Sequence, residues 1–152
     1  MALKSDRYEL QTDISFFMNT TATRGGVVVH DTLGSGAAMD QGVNVVKYST
    51  ATDSLPVGLL LNDVVDKDLT RTHLNQYKDE VQKGGKVTVL RKGYVVTNNI
   101  AGGAAVAGSG AYVMSGGTGG DVTMDSTKGA KIGTFLSSVD EDGYAKLEVN
   151  LP

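Results

Sequence analysis

Twenty glycines punctuate this 152-residue chain, and short valine-rich runs stand between them. The glycine content is nearly double the ~7% average of proteins. Glycine supplies the backbone conformations that tight turns need, and β-branched runs between turns read as strands. Val27–His30 lies between Gly25-Gly26 and a DTLGSG loop starting at Asp31, and Val43–Tyr48 is opened by Gly42. The continuous apolar run Val57–Leu61 suits a buried strand. Lys86–Thr97 is hairpin-like, with Gly93 inside it marking a bulge or bend. Ala111–Met114, Val122–Met124, Lys131–Phe135 and Tyr144–Val149 continue the series, the last two flanking a turn at Asp140–Gly143. Asp68–Gln82 is the one helix candidate: Leu74, Tyr77 and Val81 fall at i, i+3 and i+7, and Gly84-Gly85 would end it. An irregular crossing loop fits that window equally well. The expected fold is mainly β: a small single-domain β-sandwich or β-barrel of about eight to ten short strands, with at most one short helix and an extended N-terminal arm.

The arm is the first 24 residues, set apart from a β-rich domain over 25–152. Tyr8, Leu10, Ile14, Phe16, Phe17 and Met18 stand out there as large apolar residues in polar sequence, and a polar stretch, Asn19–Thr23, follows them. Alternation from Tyr8 to Phe16 suggests an extended strand with one apolar face. Two readings are open. The stretch is either the first core strand or an arm that leaves the domain and docks on a neighbour through those six residues. On the arm reading, removing residues 1–24 leaves the domain folded.

The net charge of −3 and the lack of any Lys/Arg cluster argue against nucleic acid as a partner, because phosphate neutralisation supplies most of that affinity. No apolar run approaches the ~20 residues that span a bilayer, so no membrane partner is expected. The polar start gives the expectation of no signal peptide and of synthesis in a cytoplasm. The chain has no Cys, which removes disulfides, thiolate metal sites and cysteine nucleophiles.

Candidate chemistry is sparse. His30 and His73 lack the spacing of a zinc motif and read as surface or turn residues. Gly34–Gly36 and Gly108–Gly110 lack the Lys-Ser/Thr ending of a phosphate loop and read as hairpin loops. Two acidic clusters, Asp63, Asp66, Asp68 and Asp140, Glu141, Asp142, do not match a Ca²⁺ loop and read as solvated turn carboxylates. The Ala-Gly-x-Ile-Asp-x-x-Tyr pattern of trimeric dUTPases is absent, and so is the Trp on which sugar-binding modules usually stack their ligand. No catalytic residue, cofactor site or metal site is expected, and the chain is not expected to be an enzyme.

Three segments together resemble a known family. They are LPVGLLLNDVV from Leu55, GGKVTVLRKGYVVT from Gly84, and GTFLS from Gly133 followed by DEDGYAK from Asp140. Their order is similar to that in bacteriophage head decoration (capsid cement) proteins, over about two thirds of the chain. The resemblance implies a β-fold without catalytic residues, seated on the outer capsid surface of the virion. Its implied partners are the major capsid protein and itself, as a homotrimer. The Ala/Gly-rich segment Ala101–Ala111 would allow close subunit approach. The alternatives are another phage structural or adhesin β-module (tail, baseplate or receptor-binding) and a small β-fold hydrolase.

Overall fold

A computed structural model of the chain describes residues 3–18, 20–31, 45–49, 55–68, 70, 79–114 and 119–151. Eleven strands lie among them: β1 (Tyr8–Met18), β2 (Val27–His30), β3 (Val45–Tyr48), β4 (Pro56–Leu60), β5 (Asp63–Val65), β6 (Glu80–Gln82), β7 (Lys86–Thr97), β8 (Gly110–Val113), β9 (Val122–Thr123), β10 (Lys131–Phe135) and β11 (Ala145–Asn150). The helical content among the described residues includes a single 3₁₀ turn at Ala101–Gly103. The mainly-β expectation holds.

Nine strands form one sheet in the order β1-β3-β2-β4-β7-β11-β10-β8-β9, and β5 pairs with β6 in a small parallel sheet. β1 also pairs with β7, so β1, β3, β2, β4 and β7 form a closed circuit of pairings. The circuit hinges on β7. Leu90 and Val89 face β4, residues 92–97 continue onto β11, and residues 86–94 run antiparallel to β1. The β1–β3 link is parallel and joins only Phe17 to Val45 and Met18 to Val46.

The wall β2-β4-β7 is covered on both faces, which explains its continuous apolar runs. Val27, Leu59 and Leu90 belong to one core cluster, together with Phe135, Ile132 and Leu147. Their chain neighbours Val28, Leu60 and Val89 belong to a second cluster, with Met18, Val46 and Val57. Alternation at adjacent positions thus feeds two cores from one sheet.

Two local expectations are corrected, and the bulge expected at Gly93 falls on the strand facing it, where β1 shifts register between Glu9 and Gln11. Lys86–Thr97 is one twelve-residue strand and not a hairpin. Gly93 serves the neighbouring strand: its φ is +143°, and a Cβ there would collide with the carbonyl oxygen of Tyr8. The end of the helix window is strand, since Glu80–Gln82 pairs with Asp63–Val65. Extended pairing satisfies the backbone groups of those three residues. Residues 71–78 of that window lie outside the described residues. Gly108–Gly110 leads into β8, and the Gly108 N–H bonds to the carbonyl of Phe135 at 2.8 Å. Gly34–Gly36 and His73 are outside the described residues.

The passage from β1 to β2 is tied down. Ala22 exchanges backbone hydrogen bonds with Val64 (2.9 and 2.8 Å), and the Gly25 N–H bonds to the Leu60 carbonyl at 2.8 Å. The Tyr48 hydroxyl donates to the Thr23 carbonyl and accepts from the Gly26 N–H at 3.3 Å. Burial pushes the pKa of that phenol well above its ordinary value, so it remains a donor throughout the working range.

Candidate functional site

β1 has two halves with different surroundings. Phe16 and Met18 are buried in the second core cluster, Phe16 meeting the His30 ring edge-on at 5.8 Å. Phe17 is half-buried, with the Lys86 ammonium 5.7 Å from its ring. In contrast, Tyr8, Leu10 and Ile14 are 55%, 65% and 62% exposed. Apolar side chains that open to water, on a strand held in a sheet, mark a contact surface when they cluster. The six residues singled out in the sequence therefore divide into three that anchor the strand or shield it and three that face solvent.

The irregular pairing of β1 accounts for the division. Glu9 pairs with Gly93 and Gln11 with Lys92, so Leu10 is an extra residue on β1. A second shift, between Gln11 and Thr12, skips Arg91 on β7, and a third falls between Asp13 and Phe16, the interval containing Ile14. An inserted residue breaks the in/out alternation and redirects a side chain. Leu10 and Ile14 both lie in such intervals. The Asp13 carboxylate accepts from the Ser15 N–H (2.8 Å) and hydroxyl (2.6 Å), satisfying the backbone locally between Asp13 and Phe16.

A polar and aromatic frame holds the outer half. Tyr8 stacks on Tyr94 with ring centroids 5.9 Å apart. The Lys146 ammonium sits 4.0 Å from the centre of the Tyr94 ring and 3.7 Å from Asp6. Lys4 lies 4.4 Å from the Tyr144 ring and 3.5 Å from Asp140. Tyr94 and Lys146 gave no sequence signal for this role, because they meet Tyr8 only through the register of β1 on β7 and of β7 on β11.

The acidic clusters have structural uses. Asp63 accepts the Arg24 N–H at 2.8 Å, and Asp140 accepts the N–H groups of Asp142 (2.9 Å) and Tyr144 (2.8 Å) across its turn. Among the described residues, no three His, Asp or Glu side chains gather as metal ligands would. The carboxylates of Asp13, Asp68, Asp125 and Asp140 are all held below the ordinary range. Side-chain and backbone hydrogen bonds from Ser15, Thr70 and Thr127 stabilise the first three, and the Tyr144 N–H leads for Asp140. A depressed folded-state value contributes stability that is present above the unfolded value and lost as pH falls through the folded one. The melting temperature should therefore decline below about pH 4, where free Asp begins to protonate. A pH series of thermal melts checks this, and a flat profile down to pH 2 would contradict it.

Fold and surface together define a mainly-β domain whose first strand carries an apolar ridge of three exposed side chains, Tyr8, Leu10 and Ile14. A model of the phage family "structural cement protein (E217 gp24/Pam3 gp6)" matches residues 6–150, and the chain belongs to that family. The search of curated proteins gave no match. The family assignment carries a structural, capsid-stabilising role in the virion, and it spans the first strand as well as the three segments that carried the resemblance.

Proposed function

We propose that this protein attaches to the outside of the assembled phage capsid, by contact with the major capsid protein, and stabilises the shell as a homotrimer. It acts by binding and carries out no reaction. The observation that supports this reading is the family match across residues 6–150. Many copies on a repeating lattice need only modest affinity each when neighbours also bond one another. The trimer follows from the resemblance. Particle-bound density tests both parts: copy number near that of the shell protein and three-fold clusters are expected, whereas a few copies per particle or a two-fold arrangement would reject them.

We assign the contact to Tyr8, Leu10 and Ile14, with Phe16, Phe17 and Met18 fixing the strand that presents them. Replacing Leu10 and Ile14 together by Ser should leave thermal stability nearly unchanged, since exposed substitutions usually stay within about 0.5 kcal/mol. Attachment to particles should weaken markedly, because burying one such side chain contributes about 1.5–3 kcal/mol. Co-sedimentation with shells lacking the protein measures this. Unchanged attachment would remove the ridge from the interface.

A further inference from the structure

The solvent face of β10 and β11 carries a hollow of about 290 Å³, lined by Lys131, Ile132, Gly133, Thr134, Glu148 and Asn150. It exists because β10 has one residue more than β8 over this stretch. Lys131 pairs with Tyr112 and Gly133 with Ala111, so Ile132 is extra. Ile132 and Gly133 are both buried, and two successive positions therefore leave the outer face without a side chain. Glu148 and Asn150 stand exposed on β11 beside the gap, alternating with buried Leu147 and Val149.

The polar side chains around the gap are uncommitted. Among the described residues, Lys131, Thr134, Glu148 and Asn150 have no hydrogen-bond or ion-pair partner for their side chains. Lys146, by contrast, is 3.7 Å from Asp6. The lining thus offers one ammonium, one carboxylate, one amide and one hydroxyl: donors and acceptors together, with no net charge. An aromatic ring borders it. Gly110 lies opposite Thr134, and a Cβ at Gly110 would come within 2.9 Å of the Tyr112 ring. Glycine at that position lets the ring fold back along β8, beside the hollow.

We propose that this hollow binds one sugar unit of a neutral glycan. An anionic ligand would face Glu148, and a cationic one would face Lys131. A neutral polyol meets both, because each hydroxyl can donate and accept, and it takes over hydrogen bonds that these groups otherwise make to water. Tyr112 supplies an apolar surface for the C–H face of the sugar ring, the part that Trp usually plays in sugar-binding modules. The volume is just below the ~300–1,000 Å³ of small-molecule pockets, which suits a single unit held at an open surface. The inference goes beyond capsid attachment and does not depend on it.

Chemical-shift titration of the full-length protein with maltotriose, cellotriose, mannotriose and N-acetylchitotriose tests it, with sialyllactose as the anionic comparison. At least one of the four neutral sugars should shift the amides of Tyr112, Lys131, Thr134, Glu148 and Asn150 together, and sialyllactose should not. Tyr112→Ala should weaken that binding about tenfold or more, and Tyr112→Phe, which keeps the ring, should retain it. Glu148→Ala with Asn150→Ala replaces exposed side chains, so it should leave the melting temperature in place while weakening binding to a similar degree. If Tyr112→Ala lowers the melting temperature, that pair carries the test. No shift with any of the four sugars, shifts centred elsewhere, an equal response to sialyllactose, or variants that bind like the parent would overturn the site. No particle takes part, so failure here leaves attachment through Leu10 and Ile14 standing, and failure of attachment leaves the titration result intact.

Discussion

Replacing Leu60 or Val89 by Asp is expected to abolish cooperative folding. Both side chains are fully buried, and they are paired neighbours on β4 and β7, with Leu60 opposite Val89. Both belong to the cluster that β1, β2, β3 and β4 share with β7. A carboxylate placed there has no counter-ion, and an unpaired buried charge costs several kcal/mol against a total stability of about 5–15 kcal/mol. Leu55→Asp is the matched control, since Leu55 is 70% exposed and should tolerate the charge. Urea melts of the three variants decide the matter. A soluble, cooperatively melting Leu60→Asp protein would show that this cluster is not a core.

Deleting residues 1–24 should have an effect of similar size. The deletion takes Leu3 from one core and Phe16 and Met18 from the other, and it strips β7 of an antiparallel partner along residues 86–94. Removing one large buried side chain alone costs about 2–5 kcal/mol. The truncated chain is expected to be insoluble or to melt without cooperativity. A truncated protein that melts at the full-length temperature would instead make residues 1–24 a detachable arm and 25–152 the folding unit. Leu10→Ser with Ile14→Ser separates contact from folding in a way the deletion cannot.

Much of the strand content was legible because the local cues agreed. Val27–His30, Pro56–Leu60 and Ala145–Asn150 are β-branched or apolar runs bounded by turn residues, and each is a strand close to where the pattern put it. The misread positions have long-range causes. Gly93 looked like punctuation within a hairpin, but it is glycine because the Tyr8 carbonyl crosses beside it. Glu80–Gln82 is strand because Asp63–Val65 lies alongside it, a partner seventeen positions upstream. At the candidate site, the apolar residues of the first stretch could be named from sequence. Their division into buried and exposed sets could not, because it depends on three register shifts between β1 and β7 that have no local signature.

The pairing of β1 with β7 also sets a timetable for synthesis. Tyr8 lies against Tyr94, and Phe17 against Lys86. A ribosome adding about 5–20 residues per second makes the strand at Tyr8–Met18 and needs roughly 4–15 seconds more to reach Tyr94. During that interval β3 can pair only with Phe17 and Met18, the antiparallel partner of the rest of β1 is missing, and Leu10 and Ile14 stay exposed even in the finished fold. Such contacts between distant positions slow folding and leave apolar segments open to aggregation. High expression of the protein is therefore expected to be limited by the nascent chain, with chaperone supply and growth temperature governing yield more than the stability of the finished domain.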